Sequence, residues 1–338
     1  RYDGPLSQPL FGPPMLPMKT PLFVQRHHED LAHVRTELLQ GLLAPTAHTS
    51  PKYLYDALGS RLFEAITELA EYYPTRTEAA IFADHGPAMA QAVAPGATLI
   101  DLGAGNCAKA ASLFSVLQPT RYVAVDISVE FMRKALNTLQ YQHPAMDMVG
   151  VGIDFSAGLA LPPEAGAAED GPRVLFYPGS SIGNFTPQEA LAFLCSVRAA
   201  CGTMEGSGLL IGVDLIKVTT ELEAAYDDAL GVTAAFNRNL LLHINRMVGT
   251  DFFLPEWRHV AVYNITASRI EMHLQATRAT TVRWPGGERR FGEGERIHTE
   301  NSYKWTLEGF AALLKDAGFA KSNAWTDEAQ RFAVFWAN

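Results

Sequence analysis

Two short phrases carry the first recognisable chemistry. Thr98 to Asn106 reads TLIDLGAGN and Tyr122 to Ser128 reads YVAVDIS, with a helix-forming stretch between them. Thr98 to Leu102 is a short apolar run suited to a buried parallel strand. Gly103 and Gly105 let the backbone turn tightly and approach a ligand where a Cβ would stand in the way. After a second apolar run, Val123 to Val125, Asp126 falls where the first strand–helix–strand unit of a nucleotide-binding sheet presents an acid to a ribose. Two glycines rather than three, with Asp101 just before them, fit S-adenosylmethionine (SAM) better than a dinucleotide, which has a pyrophosphate to demand the third glycine. Asp154 and Phe155 end a third apolar run, where the acid could accept an exocyclic amine and the ring could stack on a nucleobase. A fourth run, VLFYPG, leads into the polar loop Ser180 to Phe185, which includes Asn184. Singly, each of these also suits a turn or a helix cap. Their shared position at strand ends favours a ligand.

The elements that must position these residues follow from the hydrophobic rhythm. Strands are expected near 98–102, 121–126, 146–153, 173–178 and 207–213, with helices near 107–118, 128–140 and 187–201. Such alternation predicts a parallel sheet covered on both faces, a doubly wound α/β fold whose ligands sit at the carboxyl ends of the strands. Before it, residues 1–24 read as a proline-stiffened arm, and Leu31, Val34, Leu38, Leu39 and Leu42 recur at helical spacing between about His28 and Leu43. A second helix is expected over Tyr53 to Ala70. Pro74 should then break the pattern, with Thr75 or Thr77 capping a helix that begins near Glu78. After Asp214 the rhythm changes: 218–247 is helical and 257–299 alternates like antiparallel strands, before a helix over 306–317 and strands over 321–326 and 330–336. The expected division is an arm (1–24), a second, α+β lobe (25–74 with 215–304) and a SAM domain (75–214 with 305–338).

Composition bounds the function. The chain has 338 residues, 48% hydrophobic and 19% charged, enough for a large core or two lobes. A net charge of −9 repels phosphate backbones, and no Lys/Arg cluster overrides it, so no nucleic-acid partner is expected. No apolar run reaches the length of a membrane span. The first residues lack the regions of a signal peptide, and the opening Arg suggests a removed natural terminus. Cys107, Cys195 and Cys201 form no metal or disulfide pattern, which fits reduced thiols and a cytoplasmic protein. The ten histidines are scattered, and the adjacent His27 and His28 would point in different directions, so no metal is expected.

Longer phrases resemble the histidine Nα-methyltransferase family, SAM-dependent enzymes that make trimethylhistidine (hercynine) in ergothioneine biosynthesis. They are PKYLYDALGSRLFEAITELAEYYPTRTEAAI (51–81), DLGAGN (101–106), GSSIGNF (179–185), AAYDDALGVTAAFNRNLL (224–241), RIEMHL (269–274) and HTENSYKW (298–305). The resemblance implies a class I SAM-methyltransferase (Rossmann-like) domain with an inserted substrate lobe. It implies transfer of three methyl groups to the α-amine of L-histidine, with S-adenosylhomocysteine as by-product, no metal, and a monomer acting on a free small molecule. Residue by residue, it implies that Asn184 and Tyr226 hold the substrate carboxylate, Tyr72 lines the pocket, Glu300 and Ser302 grip the imidazole, and Met272 forms a wall. Tyr55 and Phe63 stand beside the amine; Asp101, Gly103, Gly105, Lys109, Asp126, Asp154 and Phe155 form the SAM shell.

Elementary chemistry supports these assignments. An Asn amide and a Tyr hydroxyl are donors for a carboxylate. Glu300 can accept an imidazole N–H, and on a strand Glu300 and Ser302, two apart, face one side. The same phrase taken alone also reads as a polar edge strand with Glu300 solvated. The loop departs from the family, having Asn106-Cys107-Ala108 where a Thr-Ser-Glu-like run is usual before Lys109, and Ser181 replaces a frequent Thr. Two other readings stand beside the first: an N-methyltransferase for another amino acid, such as a tryptophan derivative, and a non-catalytic SAM- or amino-acid-binding protein.

Overall fold

The computed structural model describes residues 18–26, 30–155 and 158–338. Most of the expected arm and the pair His27 and His28 lie outside the described residues. In chain order the elements are β1 (Leu22–Gln25), α1 (Leu31–Leu43), α2 (Ala57–Thr67), α3 (Tyr73–Ala92), β2 (Thr98–Leu102), α4 (Ala108–Ser112), α5 (Phe114–Leu117), β3 (Arg121–Asp126), α6 (Val129–Gln142) and β4 (Asp147–Gly152). Then come β5 (Arg173–Tyr177), α7 (Pro187–Cys201), β6 (Gly208–Asp214), α8 (Thr219–Ala224), α9 (Val232–Val248), β7 (Trp257–Asn264), β8 (Arg269–Ala276) and β9 (Thr280–Trp284). The last are β10 (Gly287–Phe291), β11 (Arg296–Tyr303), α10 (Leu307–Asp316), β12 (Ser322–Thr326) and β13 (Phe332–Ala337).

The main sheet runs β1-β4-β3-β2-β5-β6-β13-β12, parallel from β1 to β6, with β13 inserted antiparallel between β6 and β12. Because side chains alternate along each strand, Ile100, Leu102, Val123 and Val125 enter one core while Leu99, Tyr122 and Ala124 enter the other. Both faces are therefore apolar and covered by helices, the doubly wound, Rossmann-like arrangement expected of the sequence. Strand order reverses at β2, so the loops after β2 and β5 diverge there and leave a crevice.

A third core joins α1, α2, α8 and α9 to a separate antiparallel sheet, β11-β8-β7, and the β9–β10 hairpin. In β8, Ile270, Met272, Leu274 and Ala276 are buried while the residues between them are half-buried, the period of a strand with one face on a core. This layer packs beside the carboxyl ends of the main sheet.

Four expectations are corrected. Helix α3 starts at Tyr73, not near Glu78, because a proline in the first helical turn has no N–H to lose and its fixed φ suits the helix. The extra turn buries Tyr73, Thr77, Glu78 and Ile81 on one face. The stretch 53–70 divides into a 3-10 turn, Pro51–Leu54, and α2, whose N-terminus Asp56 caps by accepting the Gly59 N–H at 2.7 Å. The helical stretch 218–247 is broken between α8 and α9, where Asp228 accepts the Val232 and Thr233 N–H groups at 2.9 and 2.7 Å. At the end of the expected arm and running one residue past it, Leu22–Gln25 pairs in parallel with β4 and forms the sheet edge.

Candidate active site

The nucleotide side of the crevice is built on backbone. Gly103 and Gly105 have φ of +75° and +51°, the left-handed region that a side chain would strain. A Cβ on Gly103 would stand 3.9 Å from the Phe155 ring, so the bare loop and that ring face one another. Tyr177 meets the Phe155 ring edge-on at 5.9 Å and Phe193 backs it at the same distance. Asp126 accepts the Gly105 N–H at 2.8 Å and the Ser128 N–H at 2.7 Å, which fixes its carboxylate at the end of β3. Asp154, two residues past the end of β4, lies 3.6 Å from the Lys52 ammonium.

Asp101 lies beneath the loop, buried, with the Tyr122 hydroxyl donating to it at 2.7 Å. Burial pushes its pKa up to about 7. Lys109, on α4, reaches instead across to α3, where Glu78 accepts from it at 2.7 Å and from the Gly179 N–H at 2.8 Å. Glu78 is fully buried and thereby ties the helix after the glycine loop to the turn after β5. These groups fit SAM: a loop with two glycines that lack a Cβ, a fixed carboxylate where a ribose would lie, and an aromatic ring facing the loop.

Beside this crevice a cavity encloses about 470 Å³ of empty space, including its mouth. Tyr55, Phe63, Tyr72, Asn184, Tyr226, Met272, Glu300 and Ser302 all line it, and so does the turn Gly179–Ser181 that follows β5 of the main sheet. Five separate segments thus bring together every residue assigned to the substrate. The rings form a continuous wall: Tyr55 and Phe63 are 5.6 Å apart edge-to-face, Phe63 and Tyr72 6.2 Å, and Tyr72 and Tyr226 6.2 Å. Phe236 of α9 closes it, 5.5 Å from Tyr55.

The polar end rests on β11. A register shift between His298 and Glu300 turns the strand, placing Glu300 opposite Met272 and Ser302 opposite Ile270 of β8. Although β11 is an edge strand, the Ser181–Asn184 turn covers it, and a Cβ on Gly183 would lie 3.0 Å from the Tyr303 carbonyl oxygen. Glu300 is consequently only 7% exposed, not solvated, and its Oε2 has no hydrogen-bond partner in the protein. Burial pushes its pKa up to about 8, with the Lys304 ammonium opposing. A buried acceptor left unpaired costs free energy that a ligand N–H recovers.

Behind Ser302 lies a network outside the residues singled out from sequence. The Tyr226 hydroxyl donates to Ser302 Oγ at 2.7 Å, and Lys304 Nζ donates to the same oxygen at 2.8 Å. Lys304 also meets Asp214 Oδ2 at 2.7 Å; Lys217 and the Tyr73 hydroxyl donate to the same carboxylate. Burial alone would raise the Asp214 pKa, but the two ammoniums overcome it and hold the carboxyl below its ordinary value. The available signals were period two along β11, which aligns 300, 302 and 304, and the strand-end position of Asp214. Among the described residues no group of three His, Cys, Asp or Glu is placed to hold a metal ion, and no helix is long and apolar enough to cross a membrane.

The sequence profile described as "Histidine-specific methyltransferase, SAM-dependent" matches residues 34–338. The histidine N-alpha-methyltransferase of Mycolicibacterium smegmatis is 38% identical over 307 residues, 89% of this chain and 93% of that protein. The Mycobacterium tuberculosis protein of the same name is 36% identical over 315 residues, covering 90% and 95%. Ergothioneine biosynthesis protein 1 of Neurospora crassa is 32% identical over 282 residues, which span 81% of this chain and 31% of that longer protein. With a match across nearly the whole described structure, including both the glycine loop and the β11 segment, this chain belongs to the family of histidine-specific, SAM-dependent methyltransferases.

Proposed function

We propose that the protein transfers three methyl groups from SAM to the α-amine of L-histidine, giving Nα,Nα,Nα-trimethyl-L-histidine (hercynine), the first step of ergothioneine biosynthesis. The observation that carries this reading is the unpaired Glu300 oxygen, buried beside Ser302 at the end of an aromatic cavity that the turn Gly179–Ser181 also lines. An imidazole N–H satisfies that oxygen with a hydrogen bond worth about 1.5–3 kcal/mol when charged. The other ring nitrogen can meet Ser302. An indole nitrogen can donate to Glu300 but offers Ser302 no ring acceptor, whereas a neutral imidazole is both donor and acceptor, so histidine is preferred over a tryptophan derivative.

In this reading Asn184 and Tyr226 take the carboxylate, Tyr55 and Phe63 stand beside the amine, and Tyr72 lines the pocket. When bound, SAM supplies an electrophilic methyl on a sulfonium. Gly103, Gly105, Lys109, Asp126, Asp154 and Phe155 would hold it, with Asp101 bracing the loop. The amino nitrogen attacks with its lone pair, so it must be neutral. The wall of rings desolvates it, which disfavours the ammonium and releases its proton to water near Tyr55. Burial pushes the Tyr55 hydroxyl well above its ordinary pKa, so it stays a neutral hydrogen-bond partner. Alignment then supplies most of the acceleration. As methyls accumulate, the aromatic faces stabilise the growing cation by roughly 0.5–2 kcal/mol.

The molecule divides functionally into a SAM domain, 75–214 with 305–338, and a substrate lobe, 25–74 with 215–304. Incubation with SAM and each of the twenty amino acids, read by mass, tests the proposal. Histidine alone should gain one, two and then three methyl groups. Methylation of another amino acid in its place, or of none, refutes it.

A further inference from the structure

Lys304 is a buried cation that no step above uses. Its ammonium is 0% exposed and donates to Asp214 Oδ2 at 2.7 Å, Ser302 Oγ at 2.8 Å and the Tyr226 hydroxyl oxygen at 3.2 Å. All three of its N–H donors are therefore committed. The groups behind it do not balance its charge. Lys217 lies on the opposite oxygen of the same carboxylate at 2.7 Å, and Tyr73 adds only a neutral hydroxyl. Two ammoniums against one carboxylate leave one positive charge sealed under the cavity floor. A buried charge without a counterion is expensive, so the site favours a ligand that brings a negative one.

Glu300, on the cavity side, takes none of the three Lys304 N–H donors, which go to Asp214, Ser302 and Tyr226. It therefore leaves the excess in place. Lys304 donates to both hydroxyls, and the single Tyr226 proton rests on Ser302 Oγ; because Lys304 already holds that oxygen, the Tyr226 O–H is the donor that can turn to a ligand. Donation from a polarised hydroxyl suits an anion better than an amide or a methylene.

We propose that Lys304 is a specificity-determining positioning residue: acting through the Tyr226 and Ser302 hydroxyls, it makes the cavity demand a free carboxylate on its amino-acid substrate. The inference rests on the histidine reading of the cavity, since that reading assigns the carboxylate to Tyr226, with Ser302 kept for the ring. It explains how donors that are neutral in themselves can select a charged group.

The test compares L-histidine with L-histidinamide, which keeps ring and amine but loses the negative charge. For the wild-type enzyme, the KM of histidine should lie roughly 10–100-fold below the inhibition constant of histidinamide, the range of one charge-assisted bond. Lys304→Gln should erase most of that preference by raising the histidine KM, with kcat nearly constant and the histidinamide constant little moved. Lys217→Gln, which disturbs the same carboxylate but leaves Lys304 on the hydroxyls, should keep most of it. If Lys304→Gln does not fold, Tyr226→Phe removes the intervening hydroxyl and must narrow the same gap. Equal wild-type affinity for the two compounds overturns the proposal, as does an undiminished preference in folded Lys304→Gln or in Tyr226→Phe. A wild-type enzyme that methylates no histidine overturns the substrate reading itself, and this inference with it.

Discussion

Glu300 concentrates the argument at the scale of single residues. Its carboxyl leaves a buried, unpaired acceptor at the cavity wall, so its removal should be felt in catalysis. Glu300→Ala should lower kcat/KM for histidine by one to two orders of magnitude, corresponding to about 1.5–3 kcal/mol, and narrow the gap to tryptophan; steady-state kinetics with both amino acids checks this. The same residue should shape stability. A carboxyl whose pKa is near 4.5 in the unfolded chain and about 8 in the fold binds more protons when folded, so stability falls as pH rises between those values. Glu300→Gln should therefore melt several degrees above wild type at pH 8 and close to it at pH 5, in thermal scans without ligands. Asp126→Ala, which removes the carboxylate at the end of β3, should weaken SAM binding in calorimetry. Equal affinity would remove Asp126 from the ribose. Tyr55, Phe63, Tyr72, Asn184, Tyr226, Met272, Glu300 and Ser302 were legible from long phrases, because each phrase keeps its chemistry within one segment. Lys304 and Asp214 were not: their meaning depends on a contact across ninety residues of chain, and each alone reads as an ordinary surface charge.

At the scale of elements, the parallel strands were legible because runs such as TLIDL and RVLFY are buried on both faces and leave nothing else for an apolar run to be. Helix starts were harder. Pro74 reads as a breaker, yet at the first turn it is a starter, and the shift brings Tyr73 and Glu78 to the site. The 3-10 turn and α2 show how locally the chain fixes Tyr55. A Cβ on Gly59 would lie 1.8 Å from the Leu54 carbonyl oxygen, so only glycine lets the helix begin there. Gly59→Ala should lower the melting temperature by several degrees and displace Tyr55, raising the histidine KM more than it changes SAM affinity; the two measurements together separate this from general unfolding.

For the whole molecule, the contacts between the glycine-loop side and the helical layer suggest mutual ordering of the two ligands. Asn106 of the altered loop donates to Glu64 of α2 at 3.0 Å, Lys52 meets Asp154 at 3.6 Å, and Ser128 donates to the Tyr55 carbonyl at 3.2 Å. Asn106 also accepts the Ala108 N–H at 3.1 Å, so the residue that departs from the family pattern both starts α4 and reaches the other layer. S-adenosylhomocysteine at one hundred times its dissociation constant should stabilise the fold by about 2.7 kcal/mol. It should also slow hydrogen exchange across residues 52–67, which lie outside the glycine loop. Protection confined to the loops after β2, β3 and β4 would show that the layers respond separately.

The Ser128 bond to Tyr55 has one more effect. The Tyr55 ring stands in the amino-acid cavity while its own carbonyl is tied two residues beyond Asp126, so a single peptide unit gauges nucleophile against donor. In the proposed reading the ring-recognising end, at Met272 and Glu300, lies on a different sheet. Variation there can change which heterocycle is held while the attack distance stays set elsewhere, leaving substrate choice and reaction rate adjustable one at a time.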